Sequence, residues 1–312
     1  MDALAVILEA PQSLRLGRLE LSAPDDHDAV VDVAWSGIST GTERLLWSGR
    51  MPHFPGMGYP LVPGYESVGR IASVGPQASL PLPVGSWVFV PGARCFGPVR
   101  GLFGGAASRV VVPADRVTPI SSSLGEEGVL LALAATAEHV CSTTGVPDLI
   151  VGHGVLGRLL ARIAVARGAT PTVWERDPTR AEGSFGYPVV EPDSDHRRDY
   201  GRIADVSGDA SHVDELLSRL QRGGELVLAG FYSQPIEFSF PVAFMNEASI
   251  RIAAEWKAND MQAVLQLLEA GRLSLSGLIT HRAPVVEAAQ AYRTAFEDSA
   301  CLKMLLDWRG VS

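Results

Sequence analysis

The first 120 residues carry short apolar stretches, some with alternating polar positions, that are separated by glycine and proline. Such stretches are typical of β-strands, because they are too short and too often broken by glycine to form helices. One intervening segment, residues 47–64, is rich in proline and glycine and predicts a long loop. The predicted strands are Ala3–Leu8, Ala29–Trp35, Ser67–Val74, Trp87–Val90 and Ser108–Val112.

From about residue 125 the apolar spacing becomes helical, and predicted helices alternate with short apolar strands, which favours a parallel sheet. The predicted helices are Glu126–Cys141, Val155–Arg167, His212–Gln221, Asp260–Glu269 and Val285–Phe296. The predicted strands are Asp148–Val151, Thr172–Glu175, Val189–Val190, Ile203–Val206, Glu225–Leu228, Ile250–Ala254, Leu278–His281 and Cys301–Trp308. At roughly 150 residues per domain, we expect two domains: a β-rich one of residues 1–124 and 260–312, and a doubly wound α/β one of residues 125–259.

A glycine-rich turn of the pattern GxGxxG follows the predicted strand at 148–151 and opens the predicted helix at 155–167. In that context the first glycine permits a tight turn, the second lets a pyrophosphate approach the backbone, and the third lets the helix pack on the strand. The helix N-terminus presents unpaired N–H groups to the phosphates. The turn therefore predicts NAD binding, and its candidate residues are Gly152, His153, Gly154, Val155, Leu156, Gly157, Glu175 and Arg176.

The choice of nucleotide depends on Glu175, which ends the strand after the turn. An acidic side chain there accepts the ribose hydroxyls and repels a 2′-phosphate, which favours NAD over NADP. Arg176 beside it weakens that preference. A glycine turn that binds no nucleotide is the alternative, and the His153 side chain, although expected near the phosphates, need have no function.

Charge and cysteine content exclude other classes. The 35 acidic residues outnumber 26 basic ones, and no cluster of Lys and Arg offers the basic face that nucleic acid requires. Three widely spaced cysteines form no CxxC pair, which is typical of reduced thiols in a cytosolic protein. Neither a signal peptide nor an apolar run of about 18 residues is visible. We expect a cytoplasmic protein without a transmembrane segment or a nucleic-acid partner.

The β-rich front, the nucleotide-binding middle and the returning tail resemble the medium-chain dehydrogenase/reductase superfamily, which combines a GroES-like catalytic domain with a Rossmann domain. The segment 36–41, SGISTG, is similar to its first catalytic segment, with Ser39 where zinc enzymes carry cysteine. The segment 63–69, PGYESVG, is similar to its GHE motif, with Tyr65 in place of the ligand histidine. Only Cys95 remains where structural-zinc members carry four cysteines. The resemblance therefore implies a member without a metal site.

Longer strings resemble one family in that superfamily, the 3-hydroxyethyl bacteriochlorophyllide a dehydrogenases of bacteriochlorophyll biosynthesis. They include SGISTGTERLLWSGRMPHFPGMGYPLVPGYE, RGLFGGAA and FMNEASIRIAAEW. The resemblance covers essentially the full chain. It implies NAD-dependent oxidation of a 1-hydroxyethyl substituent on a chlorin or bacteriochlorin ring to an acetyl group, with a tetrapyrrole as the substrate.

Without zinc, side chains must hold the substrate oxygen and move its proton. The resemblance makes Tyr65 the first candidate, followed by Ser39, Glu66 and His139; Thr42 and Glu43 flank the same loop. Each has a structural alternative: a hydrogen-bonded serine or tyrosine, an acid at the domain junction, or a core histidine. The proton acceptor stays open among these groups.

A flat macrocycle with carboxyl groups needs apolar faces and a cation. The arginine candidates are Arg50, Arg94 and Arg100. The alternative is that this loop packs at a domain junction or a dimer contact. The full set of substrate candidates is Thr42, Arg50, Met51, Phe54, Met57, Tyr59, Phe96 and Phe103.

The superfamily pattern implies further cofactor contacts at strand ends and in the tail. Lys303 is expected to reach the pyrophosphate, or else to be a surface lysine. Superfamily members often form dimers through the last Rossmann strand, here Ile250–Ala254, so a homodimer is possible. The remaining cofactor candidates are Thr136, Ser207, Gly208, Gly230 and Phe231.

Two rival functions stay open. One is a zinc-free quinone or enone reductase of the same fold, usually with NADPH, against which Glu175 argues. The other is a non-catalytic pigment-binding protein that keeps NAD only as a structural ligand. A cofactor-preference assay separates the first rival, and absence of NADH formation would favour the second.

Overall fold

The computed structural model describes residues 1–53, 56–78 and 83–311 of the chain. The chain forms two compact units, Met1–Ala132 with Leu278–Ser312, and Leu133–Gly277. Both boundaries lie further along the chain than the expected ones at residues 124 and 259. The first unit contains both ends of the chain.

Strands dominate the first 120 residues, and helices and strands are interspersed from residue 131 onwards. The strands are β1 Asp2–Ala10, β2 Ser13–Glu20, β3 Asp28–Ile38, β4 Leu61–Val62, β5 Ser67–Val74, β6 Trp87–Val90, β7 Arg100–Gly101, β8 Arg109–Pro113, β9 Thr118–Pro119, β10 Leu149–Val151, β11 Thr172–Trp174, β12 Val189–Val190, β13 Tyr200–Asp205, β14 Leu220–Leu228, β15 Ser249–Ile252, β16 His281–Pro284 and β17 Met304–Asp307. The α-helices are α1 Thr42–Ser48, α2 Leu131–Thr144, α3 Val155–Ala166, α4 Val213–Arg219, α5 Phe240–Met245, α6 Ala258–Glu269 and α7 Ala288–Glu297. Short 3₁₀ helices are Ala114–Arg116, Ser122–Leu130, Pro178–Arg180, Pro192–Ser194, Ala210–His212 and Val285–Glu287.

The first unit is β-rich. A seven-stranded sheet has the order β16-β17-β3-β5-β6-β9, with β8 also paired to β3, and a four-stranded sheet has the order β2-β1-β4-β7. In β3, most residues are buried, as expected for a strand with neighbours on both sides. The register places Ile38 opposite Met304 of β17 and Ser36 opposite Ser67 of β5. The ends of these three strands therefore bring Ser39, Glu66 and Lys303 together.

The second unit is a parallel α/β sheet with the strand order β12-β11-β10-β13-β14-β15. All its strand pairs are parallel, and β10 is fully buried, which is typical of a sheet covered on both faces. The carboxyl ends of β10, β11, β13 and β14 share one edge of this sheet. That edge is where doubly wound folds bind ligands. The α/β fold class with a β-rich and a Rossmann-like part is confirmed.

Several elements differ from the predicted ones. The predicted helix at 126–141 begins only at Leu131, after the 3₁₀ segment that contains Gly125 with φ of +53°. The predicted strand at 278–281 is wrong: Leu278 is buried without strand pairing, and β16 begins at His281. The elements that were not predicted are β2, β4, β7, β9, α1 and α5.

Within the described ranges, the helices are all too short or too polar to cross a membrane.

Candidate functional site

The glycine turn of the second unit lies between β10 and α3. Gly152 has φ of +104°, in the left-handed region that favours glycine. A Cβ at Gly157 would lie 1.9 Å from the Gly152 carbonyl oxygen, so only glycine lets α3 begin this close to the strand. A Cβ at Gly154 would meet no atom within 4 Å. The turn thus combines a packing glycine with an open one, as a dinucleotide pyrophosphate requires.

The N-terminus of α3 has no side-chain cap. Its N-cap residue is Gly154, and no side chain accepts the first N–H groups of the helix. Val155 is buried and Leu156 is half-buried, so both anchor the helix while their backbone forms its first turn. The uncapped N–H groups and the helix dipole suit an anion at this end.

Glu175 lies beside the turn, directly after β11. Its Oε2 accepts the backbone N–H of His153 at 3.0 Å, and its Oε1 accepts that of Asp177 at 2.9 Å. These two bonds fix the carboxylate while each oxygen keeps a further lone pair for a ligand hydroxyl. The neighbouring Arg176 is exposed, with Nη1 3.2 Å from Nε2 of His212.

The side chain of His153 is directed into the protein and not to a phosphate site. It is fully buried, with Nδ1 2.6 Å from the carbonyl oxygen of Arg180 and Nε2 2.9 Å from the hydroxyl of Tyr187. Burial lowers the pKa of His153 to about 4, so the ring is neutral. The buried guanidinium of Arg158 donates to the carbonyl oxygens of His153 and Arg180. The expected position near the phosphates is therefore corrected: this histidine anchors the loop after β11.

Two other predicted cofactor segments meet at the same edge. Gly208 and Gly230 follow β13 and β14, and a Cβ on Gly230 would lie 2.6 Å from the Gly208 nitrogen. Ser207 donates its backbone N–H to Oδ1 of Asp205 at 2.8 Å, while Phe231 is 46% exposed. The structure therefore brings these four predicted residues beside the glycine turn. Thr136 is half-buried on α2.

Sequence reasoning missed Asp205 at this edge. Its carboxyl is fully buried, and Oδ2 accepts the hydroxyl of Tyr232 at 2.8 Å. Burial raises the pKa of Asp205, although hydrogen bonds from Ser207 and Tyr232 oppose that shift. An acid at the end of an apolar strand, followed by Val-Ser-Gly, was the available signal.

His139 is a structural link within the second unit. Its Nδ1 lies 2.8 Å from Oδ2 of Asp260, and Ser142 donates to Oδ1 of the same carboxylate at 2.8 Å. Asp260 also accepts the backbone N–H of Lys257 at the start of α6. His139 therefore joins α2 to α6, as its structural alternative expects, and a part in proton transfer stays a prediction.

A cluster of hydroxyl groups forms the candidate site of the first unit. The hydroxyl of Tyr65 lies 2.6 Å from Oγ of Ser39, and the side chain of Thr42 also hydrogen-bonds Tyr65. Ser39 is buried, whereas Tyr65 is half-buried and packs edge-on against Phe103, with ring centroids 5.1 Å apart. Tyr65 is the member of the pair that a ligand can reach.

The phenol of Tyr65 stays neutral. Burial raises the pKa of Tyr65 above its ordinary value of 10.0, and the charge of Glu66 raises it further, while bonds to Ser39 and Thr42 act in the opposite direction. A neutral phenol donates a hydrogen bond to a developing oxyanion but is a poor proton acceptor.

An ion pair lies behind the hydroxyl cluster. Nζ of Lys303 is 2.6 Å from Oε2 of Glu66, and it also donates to the Ile38 carbonyl oxygen at 3.3 Å. Both side chains are buried, and burial raises the pKa of Glu66 while Lys303 lowers it. Lys303 is thus neither a surface residue nor presented to a pyrophosphate, because its ammonium is enclosed in the first unit.

Glu43 and Tyr292 complete this cluster. The hydroxyl of Tyr292 donates to Oε2 of Glu43 at 2.8 Å. Sequence reasoning noted Glu43 only as a neighbour of Thr42 and missed Tyr292, which lies 249 positions away from Glu43. No local pattern connects the two residues.

The predicted substrate residues divide by burial. Met51 and Phe96 belong to the hydrophobic core, so the expected contact with a macrocycle is corrected for both. Tyr59 is half-buried, and its hydroxyl donates to the Leu46 carbonyl oxygen at 2.5 Å. Phe103 and Met57 are half-buried, Arg50 is exposed, and Phe54 lies outside the described residues.

No group of three His, Cys, Asp or Glu side chains comes together among the residues that the structure describes. At the two positions where the motif resemblance would place zinc ligands, Ser39 and Tyr65 offer only hydroxyl oxygens, which differ from the nitrogen and sulfur donors that zinc prefers. The Lys303 ammonium, 2.6 Å from Glu66, adds a positive charge beside them. This donor set does not fit a zinc ion.

Comparison with known proteins agrees with this architecture. Residues 25–122 match the family model of the alcohol dehydrogenase GroES-like domain. The chain is 54% identical to 2-desacetyl-2-hydroxyethyl bacteriochlorophyllide A dehydrogenase of Rhodobacter capsulatus, over 99% of both chains. It is 52% identical to the protein of the same name from Cereibacter sphaeroides, over 100% of both.

The fold also matches solved structures. An alcohol dehydrogenase of Escherichia coli complexed with NADH superposes with a TM-score of 0.83 at 22% identity, covering 98% of this chain and 99% of the other. The likeness confirms the fold. The chain therefore belongs to the medium-chain dehydrogenase/reductase superfamily and, within it, to the family of the 2-desacetyl-2-hydroxyethyl bacteriochlorophyllide A dehydrogenases.

Proposed function

We propose that this protein oxidises the 1-hydroxyethyl side chain of a bacteriochlorophyllide to an acetyl group, with NAD as the oxidant. The observation that carries the proposal is the 54% identity, over 99% of the chain, to a relative named for a hydroxyethyl bacteriochlorophyllide. The open glycine turn and the hydroxyl cluster support it, because an alcohol dehydrogenase needs a nucleotide site and a group that holds the alcohol oxygen.

NAD is the proposed cofactor, and bound NAD supplies the hydride acceptor. The residues that would hold it are Gly152, Gly154 and Gly157 at the pyrophosphate and Glu175 at the ribose. The Glu175 carboxylate is fixed by two backbone N–H groups and repels the 2′-phosphate of NADP. Titration of both nucleotides by calorimetry checks this preference.

The hydroxyl pair is proposed to replace the Lewis acid of zinc relatives. Tyr65, as a neutral phenol, would donate a hydrogen bond to the substrate oxygen and stabilise the negative charge that develops there, while the hydroxyl proton would leave to solvent water and the hydride would pass to NAD. Ser39 orients the phenol through the 2.6 Å contact. Phe103, edge-on to Tyr65, offers an apolar contact for the flat macrocycle.

A homodimer through β15 is also proposed. This edge strand is exposed throughout its length, and Ile252 is 74% exposed. The adjacent helix α5 exposes Phe244 and Met245 to 67% and 72%. An exposed edge strand that carries apolar side chains favours pairing with another strand. Light scattering after gel filtration should give a dimer for the protein and a monomer for Ile252→Lys.

Incubation with NAD and 3-(1-hydroxyethyl) bacteriochlorophyllide a tests the proposed reaction. We expect a product lighter by two hydrogens in mass spectrometry, with one NADH formed for each acetyl group. Reduction of quinones or enones with NADPH, but no NADH from the pigment, would instead identify the reductase. Tight pigment binding without conversion would identify a pigment-binding protein.

A further inference from the structure

The carboxylate of Glu43 connects three segments of the first unit. Glu43 is fully buried at the start of α1. Its Oε1 accepts the backbone N–H of Ser39 at 3.1 Å, and its Oε2 accepts the hydroxyl of Tyr292 at 2.8 Å. Two hydrogen bonds therefore join α1 to the end of β3 and to α7.

Tyr292 is itself held rigidly. Its ring is 1% exposed and packs against Trp47 and Phe296, with centroid distances of 6.2 Å and 5.7 Å. A buried ring with neighbours on two sides cannot turn its hydroxyl freely. Tyr292 therefore fixes one oxygen of Glu43 and leaves the other directed at Ser39.

The backbone of Ser39 is held from two sides. Its N–H donates to the Glu43 carboxylate, and its carbonyl oxygen accepts the N–H of Glu43 at 3.2 Å. The side chain of Ser39 then has its Oγ 2.6 Å from the Tyr65 hydroxyl. The position of the hydroxyl pair thus depends on a carboxylate that contacts neither hydroxyl.

We propose that Glu43 and Tyr292 are positioning residues for the reaction: the Tyr292-fixed carboxylate holds the Ser39 backbone so that the Ser39 hydroxyl keeps the Tyr65 hydroxyl directed at the substrate oxygen. The inference rests on the proposed function and adds two residues to it. Displacement of a reacting group by about 1 Å lowers turnover by on the order of 100-fold, so a backbone clamp of this kind has a measurable effect.

The protonation state of Glu43 affects the same two hydrogen bonds. Burial raises the pKa of Glu43 to about 7, and the charge of Glu66 also raises it. The hydrogen bonds from the Ser39 N–H and the Tyr292 hydroxyl, and the charge of Lys303, lower it. Only the ionised carboxylate acts as an acceptor on both oxygens without also being a donor. Turnover should therefore rise as the pH rises through about 7, when Glu43 loses its proton.

Two substitutions at Glu43 separate positioning from packing. Glu43→Leu fills the volume but removes both acceptors, whereas Glu43→Gln keeps an acceptor for Ser39 and cannot ionise. We expect kcat to fall on the order of 100-fold in Glu43→Leu, with the Kd for NAD unchanged, and to recover to within roughly fivefold of the parent in Glu43→Gln. The rise of kcat near neutral pH should vanish in Glu43→Gln.

Glu126→Gln is the matched control, since Glu126 is a partly exposed carboxylate of the same unit that pairs with Arg282. It should keep the parent kcat and pH profile. Equal losses in Glu43→Leu and Glu43→Gln, an unchanged pH profile in Glu43→Gln, or full turnover in Glu43→Leu would each overturn the proposal.

Amide hydrogen exchange measures how firmly Glu43 holds the Ser39 backbone, and it requires no turnover. The peptide that contains Ser39 should exchange slowly in the parent and in Glu43→Gln, and faster in Glu43→Leu and Tyr292→Phe. If the parent forms no NADH, the proposed function fails, and the exchange rates still decide whether Glu43 holds Ser39. Equal exchange in all four proteins would refute the clamp even in an active enzyme.

Discussion

The glycine turn of the second unit and the hydroxyl cluster of the first are built in opposite ways. The turn uses contiguous backbone, with Gly152, Gly154 and Gly157 leaving space or permitting close packing. The cluster uses buried side chains from segments as far apart in sequence as Ser39 and Lys303. A pyrophosphate site made of backbone depends little on side chains, whereas each side chain of the cluster can be replaced separately. We therefore expect cofactor binding and the chemical step to respond to different substitutions.

The largest expected effect is that of Tyr65→Phe. Removal of the hydroxyl deletes the donor to the substrate oxygen, and turnover should fall roughly 100- to 1,000-fold. The Kd for NAD, measured by calorimetry, should stay within about twofold because the turn is untouched. Near-normal turnover would remove Tyr65 from the mechanism, and a parallel loss of NAD binding would abolish the separation of the two sites.

The second effect is a pH-dependent stability that comes from Glu43. The pKa of Glu43 is about 7 in the folded protein and 4.5 ordinarily. Below pH 4.5 the carboxyl is therefore protonated in both the folded and the unfolded protein, and it does not change the free energy of unfolding. As the pH rises from 4.5 through 7, only the unfolded carboxyl ionises readily, and the parent loses about 3 kcal/mol of stability. Glu43→Gln lacks this loss.

Unfolding temperatures of the parent and Glu43→Gln at about pH 5 and about pH 8 check this expectation. The difference between the two proteins should shift in favour of Glu43→Gln at the higher pH. A constant difference would show that Glu43 ionises normally in the folded protein.

The third effect separates two glycines of one turn. Gly154→Ala places its methyl group in open space, so the unfolding temperature should stay constant while the Kd for NAD rises on the order of tenfold. Gly157→Ala places its methyl group 1.9 Å from the Gly152 carbonyl oxygen and should destabilise the unit by about 1–3 kcal/mol. Similar behaviour of both variants would mean that the open side of the turn receives no phosphate.

The smallest effect concerns the choice of nucleotide. Glu175→Gln removes the charge that repels a 2′-phosphate but keeps an acceptor for one of the two backbone N–H groups. The preference for NAD over NADP should fall several-fold, on the order of 1 kcal/mol. An unchanged ratio of the two dissociation constants would assign the preference to other residues.

Prediction from the sequence succeeded where the signal is local. The strands Ser67–Val74 and Trp87–Val90 have the predicted bounds, and α3 ends one residue before the predicted Arg167. Short apolar runs that end at glycine or proline, and a glycine-bounded helix start, define these elements without tertiary context. The helix Thr42–Ser48 was missed because seven residues between two glycines are too short to show a helical period.

The candidate sites, like the secondary structure, were predictable only where the signal lies in neighbouring residues. The glycine turn could be predicted because its function lies in consecutive residues, and the motif resemblance pointed to Ser39 and Tyr65. Tyr292 and the ion pair of Glu66 with Lys303 could not, because only the pairing of β17 with β3 and the packing of α7 bring them there. The sequence also could not show that Met51 is a core residue and not a substrate contact. An apolar residue in a loop segment is compatible with either position.

The central claim is that this protein oxidises the hydroxyethyl group with NAD and organic side chains alone. The most direct test is turnover by protein that has been stripped with a chelator and shown by elemental analysis to contain no zinc. The account predicts undiminished formation of NADH and acetyl product in equal amounts. Loss of turnover on stripping, restored by added zinc, would contradict it.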